Sequence, residues 1–365
     1  MKTSKMILSA ACLALAFSCG SPEVSVSPRE QLLERLSGFA SKGLIAYGHQ
    51  DDPCYGHDWC VDDWENDSLE RSDVKAVTGK YPLMVGFDLG GIELSDSCNL
   101  DGVPFGLIRK ATLEHIGRGG IVTFSWHPRN PFTGGDAWDV SSDEVVRSVL
   151  PGGQKNELFS LWLTRLGDFL ESVGREVPVI FRPWHENIGS WFWWGGRLCT
   201  ENEYRQLYQS TWNYLVRERG LENIVWCYSP NGDCSTEEYM AKYPGDEYVD
   251  LLGVDSYELA GSDNPDKARA DFQKEISDIL GAVEQLGKEH GKTICLSETG
   301  LEGISEPAWW TETLYPAVKD YPIAYLLTWR NAHDNPGHFF AAWKGFENAA
   351  DMKAFSEFDN IIFID

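Results

Sequence analysis

Eight short apolar runs recur along the chain with helical stretches between them, and that alternation leaves few folds open. They are Leu44–Gly48, Leu83–Asp88, Ile121–Trp126, Val177–Arg182, Ile224–Tyr228, Leu251–Ser256, Thr293–Ser297 and Ile323–Trp329. Their apolar character is continuous instead of alternating, as strands buried on both faces of a parallel sheet require. In Glu157–Val173 the residues Phe159, Trp162, Leu166, Phe169, Leu170 and Val173 repeat at helical spacing. Tyr204, Leu207, Tyr208, Thr211 and Leu215 do the same in Glu201–Arg219. That helix opens on Thr200 and Glu203 at capping-box spacing and stops at Gly220. Asp266–His290 and Trp309–Lys319 fill the later gaps. The pattern predicts the α/β class and a closed (β/α)8 TIM barrel over residues 29–365. With no composition break or low-complexity tract in that span, a single domain is the economical reading.

The formal charge of −25 excludes partners held by basic residues, nucleic acid first among them. It also opposes docking of the protein surface on an anionic membrane. A neutral substrate meets no such penalty. Many of the 15 tryptophans cluster beside polar strand-end motifs; core packing explains some, and a flat apolar ring with a hydrogen-bonding edge that can stack on sugars would explain the rest.

Residues 1–18 read as an export signal, with Lys2 and Lys5 ahead of a mostly apolar run, Met6–Phe17, too short to span a bilayer. The run ends at Phe17-Ser18-Cys19-Gly20, which resembles a bacterial lipoprotein cleavage box with Cys19 as the lipidated residue. Phe17 and Ala16 depart from the commonest box, and plain secretory cleavage is the alternative. Residues 19–28 then form a short tether. The expectation is an exported protein, anchored in the bacterial envelope at the periplasmic or outer face, and touching membrane only through that lipid. Export permits disulfides. Cys54/Cys60 and Cys227/Cys234 are near enough in sequence to close small loops, and Cys295 sits inside a strand as the buried one. No Cys-x-x-Cys marks a zinc site. The acidic loop around Asp51, Asp58 and Asp62 lacks calcium-loop spacing, so neither metal nor cofactor is expected.

Two glutamates follow strand-like runs, Glu186 after the fourth and Glu298 after the seventh. In a barrel of this kind such positions open onto the mouth where catalytic groups sit. Hydrolysis of a glycosidic bond needs an acid for the leaving oxygen and a second carboxylate across the sugar, roughly 5–5.5 Å away when configuration is retained. Glu186 is expected as acid/base, its proton held by burial and a neighbouring carboxylate, and Glu298 as nucleophile. The long loops Gln50–Asp67 and Pro128–Lys155 are expected to wall the cleft.

The segment from Arg182-Pro183-Trp184-His185-Glu186-Asn187 through Trp191-Phe192-Trp193-Trp194-Gly195 resembles the acid/base signature of glycoside hydrolase family 26, the β-mannanases. Ser297-Glu298-Thr299-Gly300 resembles its nucleophile segment. Tyr47-Gly48-His49-Gln50, Ser125-Trp126-His127-Pro128, Gly253–Glu258 and Thr328–Ala332 extend the likeness over almost the whole mature chain. The resemblance implies a single catalytic TIM-barrel domain that hydrolyses β-1,4-mannosidic bonds in mannan, glucomannan or galactomannan with retention. It also implies substrate-binding roles. His127 would line the subsite of the attacked sugar, and His185 would bond a sugar hydroxyl and orient Glu186. Trp191 and Trp329 would form aromatic walls, with at least one of Trp193 and Trp194 packing inward. Tyr257 would hold the nucleophile, with a core tyrosine as rival. Arg330 would bind a more distant sugar, with a salt bridge to a loop carboxylate as rival. A β-1,3-xylanase or mixed-linkage β-glucanase of the same family, and a non-catalytic glycan-binding surface lipoprotein, are the alternatives.

Overall fold

The computed structural model describes residues 26–365; the export signal, the lipid attachment at Cys19 and most of the tether lie outside the described residues. Eight parallel strands close into a barrel: β1 (Ile45–Gln50), β2 (Met84–Asp88), β3 (Ile121–Trp126), β4 (Val179–Pro183), β5 (Ile224–Tyr228), β6 (Leu251–Glu258), β7 (Thr293–Leu301) and β8 (Ile323–Thr328). Neighbours pair in sequence order, and β8 closes on β1 through Ala46↔Tyr325 to His49↔Thr328. Each strand begins or ends within about four residues of the apolar run that predicts it, because both faces of these strands are covered.

The barrel interior explains where the site must be. Side chains on one face of a strand recur every second residue. Ile180, Val225, Leu251, Cys295 and Leu327 fill the interior with Leu32 and Leu36 of helix α1 (Pro28–Ser41), which plugs the lower end. Burying each of those two leucines contributes about 1.5–3 kcal/mol. Two residues beyond Ile180 on the same face comes Arg182, and four and six beyond Leu251 come Asp255 and Tyr257. The inner face is therefore apolar below and charged above, at the C-terminal end of the strands.

Helix α2 (Asn156–Val173) spans the predicted segment. Helix α3 (Glu201–Trp212) carries the expected capping box, Thr200 with Glu203, but then widens into a π-helical turn over Asn213–Glu218 before the left-handed Gly220. The segment predicted as one helix over Trp309–Lys319 likewise begins as a π turn, Trp309–Leu314. Strand β7 runs past its predicted end at Ser297 to Leu301, so Glu298 lies within the strand and not at its terminus. A bulge makes this workable: Leu296 pairs with Val254 and Glu298 with Asp255, leaving Ser297 as the extra residue. Such an insertion re-aims the side chain that follows. None of the seven described cysteines is paired; Cys227 and Cys295 are both buried, their sulfurs 3.9 Å apart in the barrel interior.

Candidate active site

Glu186 reaches the mouth through a contorted turn. Trp184 and Glu186 both have positive φ, 57° and 51°, a conformation that costs about 1–3 kcal/mol for a residue with a side chain. The tryptophan-rich segment supplies the restraint. The carbonyl of Trp184 accepts from the Tyr204 hydroxyl at 2.6 Å, that of His185 accepts from Trp194 Nε1 at 2.9 Å, and the Glu186 N–H donates to the Ser229 carbonyl at 2.8 Å. Trp184, Trp193 and Trp194 are fully buried and pack edge to face. Most of this aromatic cluster therefore holds the turn, and Trp191 alone of the four tryptophans stays 42 % exposed.

Across the mouth, one carboxylate oxygen each of Glu186, Asp255 and Glu298 lie within 4.8 Å of one another. Three acids this close need a positive charge, and Arg182 supplies it, donating to Asp255 Oδ2 at 2.7 Å and to Glu298 Oε1. The guanidinium is buried, with Ser229 as a further acceptor. Tyr257 donates its hydroxyl to the other oxygen of Glu298 at 2.7 Å. Glu186 differs: its one side-chain donor is Trp191 Nε1, at 2.6 Å. Burial first, and the Glu298 charge second, push its carboxyl up to about 7. The two glutamates thus divide into a proton holder and an acceptor ringed by donors.

A second network backs the site. Asp88, at the end of β2, accepts from His127 Nδ1 at 2.6 Å, Ser125 Oγ at 2.7 Å and the Gly90 N–H at 2.7 Å. His127 Nε2 lies 3.0 Å from His185 Nε2. Burial opposes a charge on His127, but Asp88, with Glu298 and Glu186 beyond it, outweighs burial and raises its pKa. Burial, Arg182 and His127 all keep His185 neutral. Replacing Asp88 by Asn removes the charge that orients His127 and leaves the volume. A lost hydrogen bond to a charged partner is worth about 1.5–3 kcal/mol, roughly 10- to 150-fold in rate if expressed in the transition state. Asp88→Asn is expected to lower kcat/KM by that factor in a protein that melts like the parent; unchanged kinetics would remove Asp88 from the site.

A cavity of about 520 Å³ joins these groups, lined among others by His127, His185, Glu186, Tyr257, Glu298 and Trp329. Six of the eight sequence-predicted site residues therefore share one cleft, with Trp191 on Glu186 beside it. Arg330 stands apart: it is not in that lining, pairs with Asp101 at 3.1 Å and meets the Tyr55 hydroxyl at 3.4 Å, the salt-bridge arrangement. The acidic loop Gln50–Asp67 does not line this cavity either. Its His57 stacks on Trp343 at 3.5 Å, and both its His57 N–H and its Trp59 Nε1 donate to Asp73, so it folds down beside the eighth strand's loop. The third-strand loop does reach the cleft, through Trp138, which is 48 % exposed and parallel to His127 at 5.3 Å. Sequence reasoning assigned no role to Arg182, Asp255, Asp88, Trp138, Phe192 or Phe340. Arg182, Asp255 and Asp88 were discoverable as charged residues on runs otherwise apolar.

A closed (β/α)8 barrel with two facing carboxylates at the C-terminal ends of its strands has the layout of a glycoside hydrolase. Comparison with known proteins narrows the class. The profile of Glycosyl hydrolase family 26 matches residues 45–292, and the chain belongs to that family. Its structure superposes on a GH26 β-mannanase from Bacteroides ovatus with TM-score 0.86 and 41 % identity, covering 93 % of this chain and 96 % of that one. A mannan endo-1,4-β-mannosidase from Bifidobacterium adolescentis is 32 % identical over 330 residues, which is 83 % of this chain and 32 % of the relative. Another from Bacillus subtilis is 32 % identical over 270 residues, 71 % of this chain and 69 % of the relative. The chain thus spans about a third of the length of the first of these relatives.

Proposed function

We propose that this protein is a retaining β-mannanase that cleaves β-1,4-mannosidic bonds in mannan, glucomannan or galactomannan. The observation that carries the reading is the pair Glu186 and Glu298, oxygens within 4.8 Å, one with a raised pKa and one held by two donors. That spacing suits direct attack and leaves no room for an intervening water. Glu298 attacks the anomeric carbon as the bond to the leaving oxygen breaks, and Glu186 gives that oxygen its proton. Glu186, now a carboxylate, takes a proton from water; the water oxygen bonds to the anomeric carbon and Glu298 leaves. Arg182 and Tyr257 stay on the Glu298 carboxylate throughout and fix its direction. His127, His185, Trp191 and Trp329 form the surfaces on which the attacked sugar is bound, and Arg330, paired to Asp101, serves a sugar further along. The names of the relatives support mannan over other polymers. Reducing-end release from mannan, set against β-1,3-xylan and mixed-linkage β-glucan, tests the choice, and hydrolysis of either rival alone would overturn it.

The acid function must be lost as pH rises through the Glu186 pKa, because only the protonated form serves the leaving group. Turnover is expected to fall on the alkaline side of about 7. Glu186→Gln is expected to abolish that limb together with most of the activity on natural glycosides. A parent enzyme with flat activity to pH 9 would contradict the assignment.

The same reading includes export and lipid attachment at Cys19, supported by the residues of the cleavage box. Cys19→Ala is expected to shift the protein from the membrane fraction to the soluble fraction of the envelope; an unaltered distribution would refute the anchor.

A further inference from the structure

Lys242 is the one buried lysine among the described residues, 7 % exposed. It follows the short helix α4 (Thr236–Ala241), in the connection between β5 and β6. Helix α3 pins the backbone on either side of it: Arg205 donates to the Ala241 carbonyl, and Gln209 Nε2 to that of Pro244 at 2.8 Å. The Lys242 ammonium donates to the carbonyls of Asn187 and Gly196, each at 2.9 Å, and lies 3.8 Å from Cys199 Sγ. The Gly196 N–H donates to the same Asn187 carbonyl, again at 2.9 Å. Burial lowers the Lys242 pKa, so this cation is kept out of bulk water against a cost.

Asn187 and Gly196 are the two ends of the loop that leaves Glu186. Between them stand Trp191, whose Nε1 donates to Glu186 Oε2, and Phe192, which lines the cleft. We infer that Lys242 is a positioning residue for the catalytic acid: by tying the base of this loop it holds Trp191 Nε1 on the Glu186 carboxyl. The inference rests on the mannanase reading, with Glu186 as its acid. Geometry favours a tie over simple packing. An apolar stem would fill the same volume, yet two carbonyls from opposite ends of the loop converge on one nitrogen, which spends two of its three donors there. The Tyr204 and Trp194 bonds act on the turn ahead of Glu186, through the carbonyls of Trp184 and His185; Lys242 acts on the segment behind it. A cavity of about 630 Å³, lined among others by Gly196, Cys199, Arg205 and Lys242, opens at the same place. Water can therefore take over both carbonyls when the ammonium is removed, which spares the fold but ties nothing.

Lys242→Met keeps most of the stem and deletes the charge. The experiment measures kcat/KM on two substrates: mannohexaose, whose leaving sugar needs a proton, and dinitrophenyl β-mannobioside, whose phenolate leaves without one. A misplaced Glu186 is expected to lower kcat/KM on the first by about 10- to 100-fold and on the second by no more than about threefold. On mannohexaose the alkaline limb is expected to move to higher pH, because the Trp191 bond lowers the Glu186 pKa and its loss lets the acid keep its proton longer. Glu298, Arg182, His127, Asp255 and Tyr257 still face Glu186 in the variant, so the displacement reports that bond. Trp191→Phe, at a half-exposed position, is expected to move the limb the same way, and Lys242→Met to move it no further in the double variant. Lys242→Gln keeps one donor group and reports, with smaller changes of the same sign, if Lys242→Met fails to fold. Equal losses on the two substrates, or a limb at its parental pH, overturn the inference and leave the mannanase reading intact. A parent inert on mannohexaose overturns both.

Discussion

Glu298→Ala is expected to lower kcat on linear mannan by on the order of 10⁴-fold or more, since in the proposed mechanism it deletes the group that forms the covalent intermediate. Binding of mannohexaose is expected to change little, because the remaining walls of the cleft do not depend on that carboxylate. Arg182 keeps its bond to Asp255 in the variant, so the site retains its charge partner. Azide supplies a check against simple misfolding. Entering the space the carboxylate vacates, it can bond to the anomeric carbon from the same side and yield an α-linked glycosyl azide from an activated β-mannoside. Full activity in a folded Glu298→Ala protein would exclude Glu298 as nucleophile.

Arg182→Met is expected to have the second largest effect, on stability as well as rate. The guanidinium is buried, and both Asp255 and Glu298 face it in the same interior. Removing one partner of a buried ionic set costs about 3–5 kcal/mol, because the remaining charges lose their compensation. Burial first, then the nearby carboxylates, push Asp255 well above the usual carboxylate range and Arg182 opposes them, so loss of Arg182 drives Asp255 further towards its protonated form. Urea unfolding should show the loss directly. Adding Asp255→Asn to Arg182→Met should recover part of the stability and none of the turnover, which separates the structural from the catalytic share. An Arg182→Met protein as stable as the parent would disprove the charge balance at the base of the cleft.

The barrel was legible because its strands are covered on both sides, which leaves continuous apolar runs such as Ile121–Trp126 and Ile224–Tyr228 as the signal. Local chemistry was equally readable where one side chain answers another three residues away, as Thr200 and Glu203 do. Three kinds of feature were not. The π turns at Asn213–Glu218 and Trp309–Leu314 keep nearly the apolar spacing of an α-helix, so they leave no separate trace. The bulge at Ser297 depends on the register against β6, which the residues of β7 alone do not specify. Partners distant in sequence, Arg330 with Asp101 and Asp88 with His127, exist only once the loops are placed. For the site, the two glutamates could be read from their positions just after apolar runs, although Glu298 proves to lie inside the longer β7. The inward packing of Trp193 and Trp194 beside an exposed Trp191 agrees with the expectation from the family resemblance, whereas Trp138, in a loop with no periodicity, gave no sign that it lies over His127.

The central claim is that Glu186 and Glu298 act on one anomeric carbon by two successive displacements, each inverting it. Proton NMR of the first seconds of mannohexaose hydrolysis, before mutarotation mixes the products, reads that directly. The account predicts that the β-anomer of the newly formed reducing end appears first. Appearance of the α-anomer first would mean a single displacement by water and would contradict it.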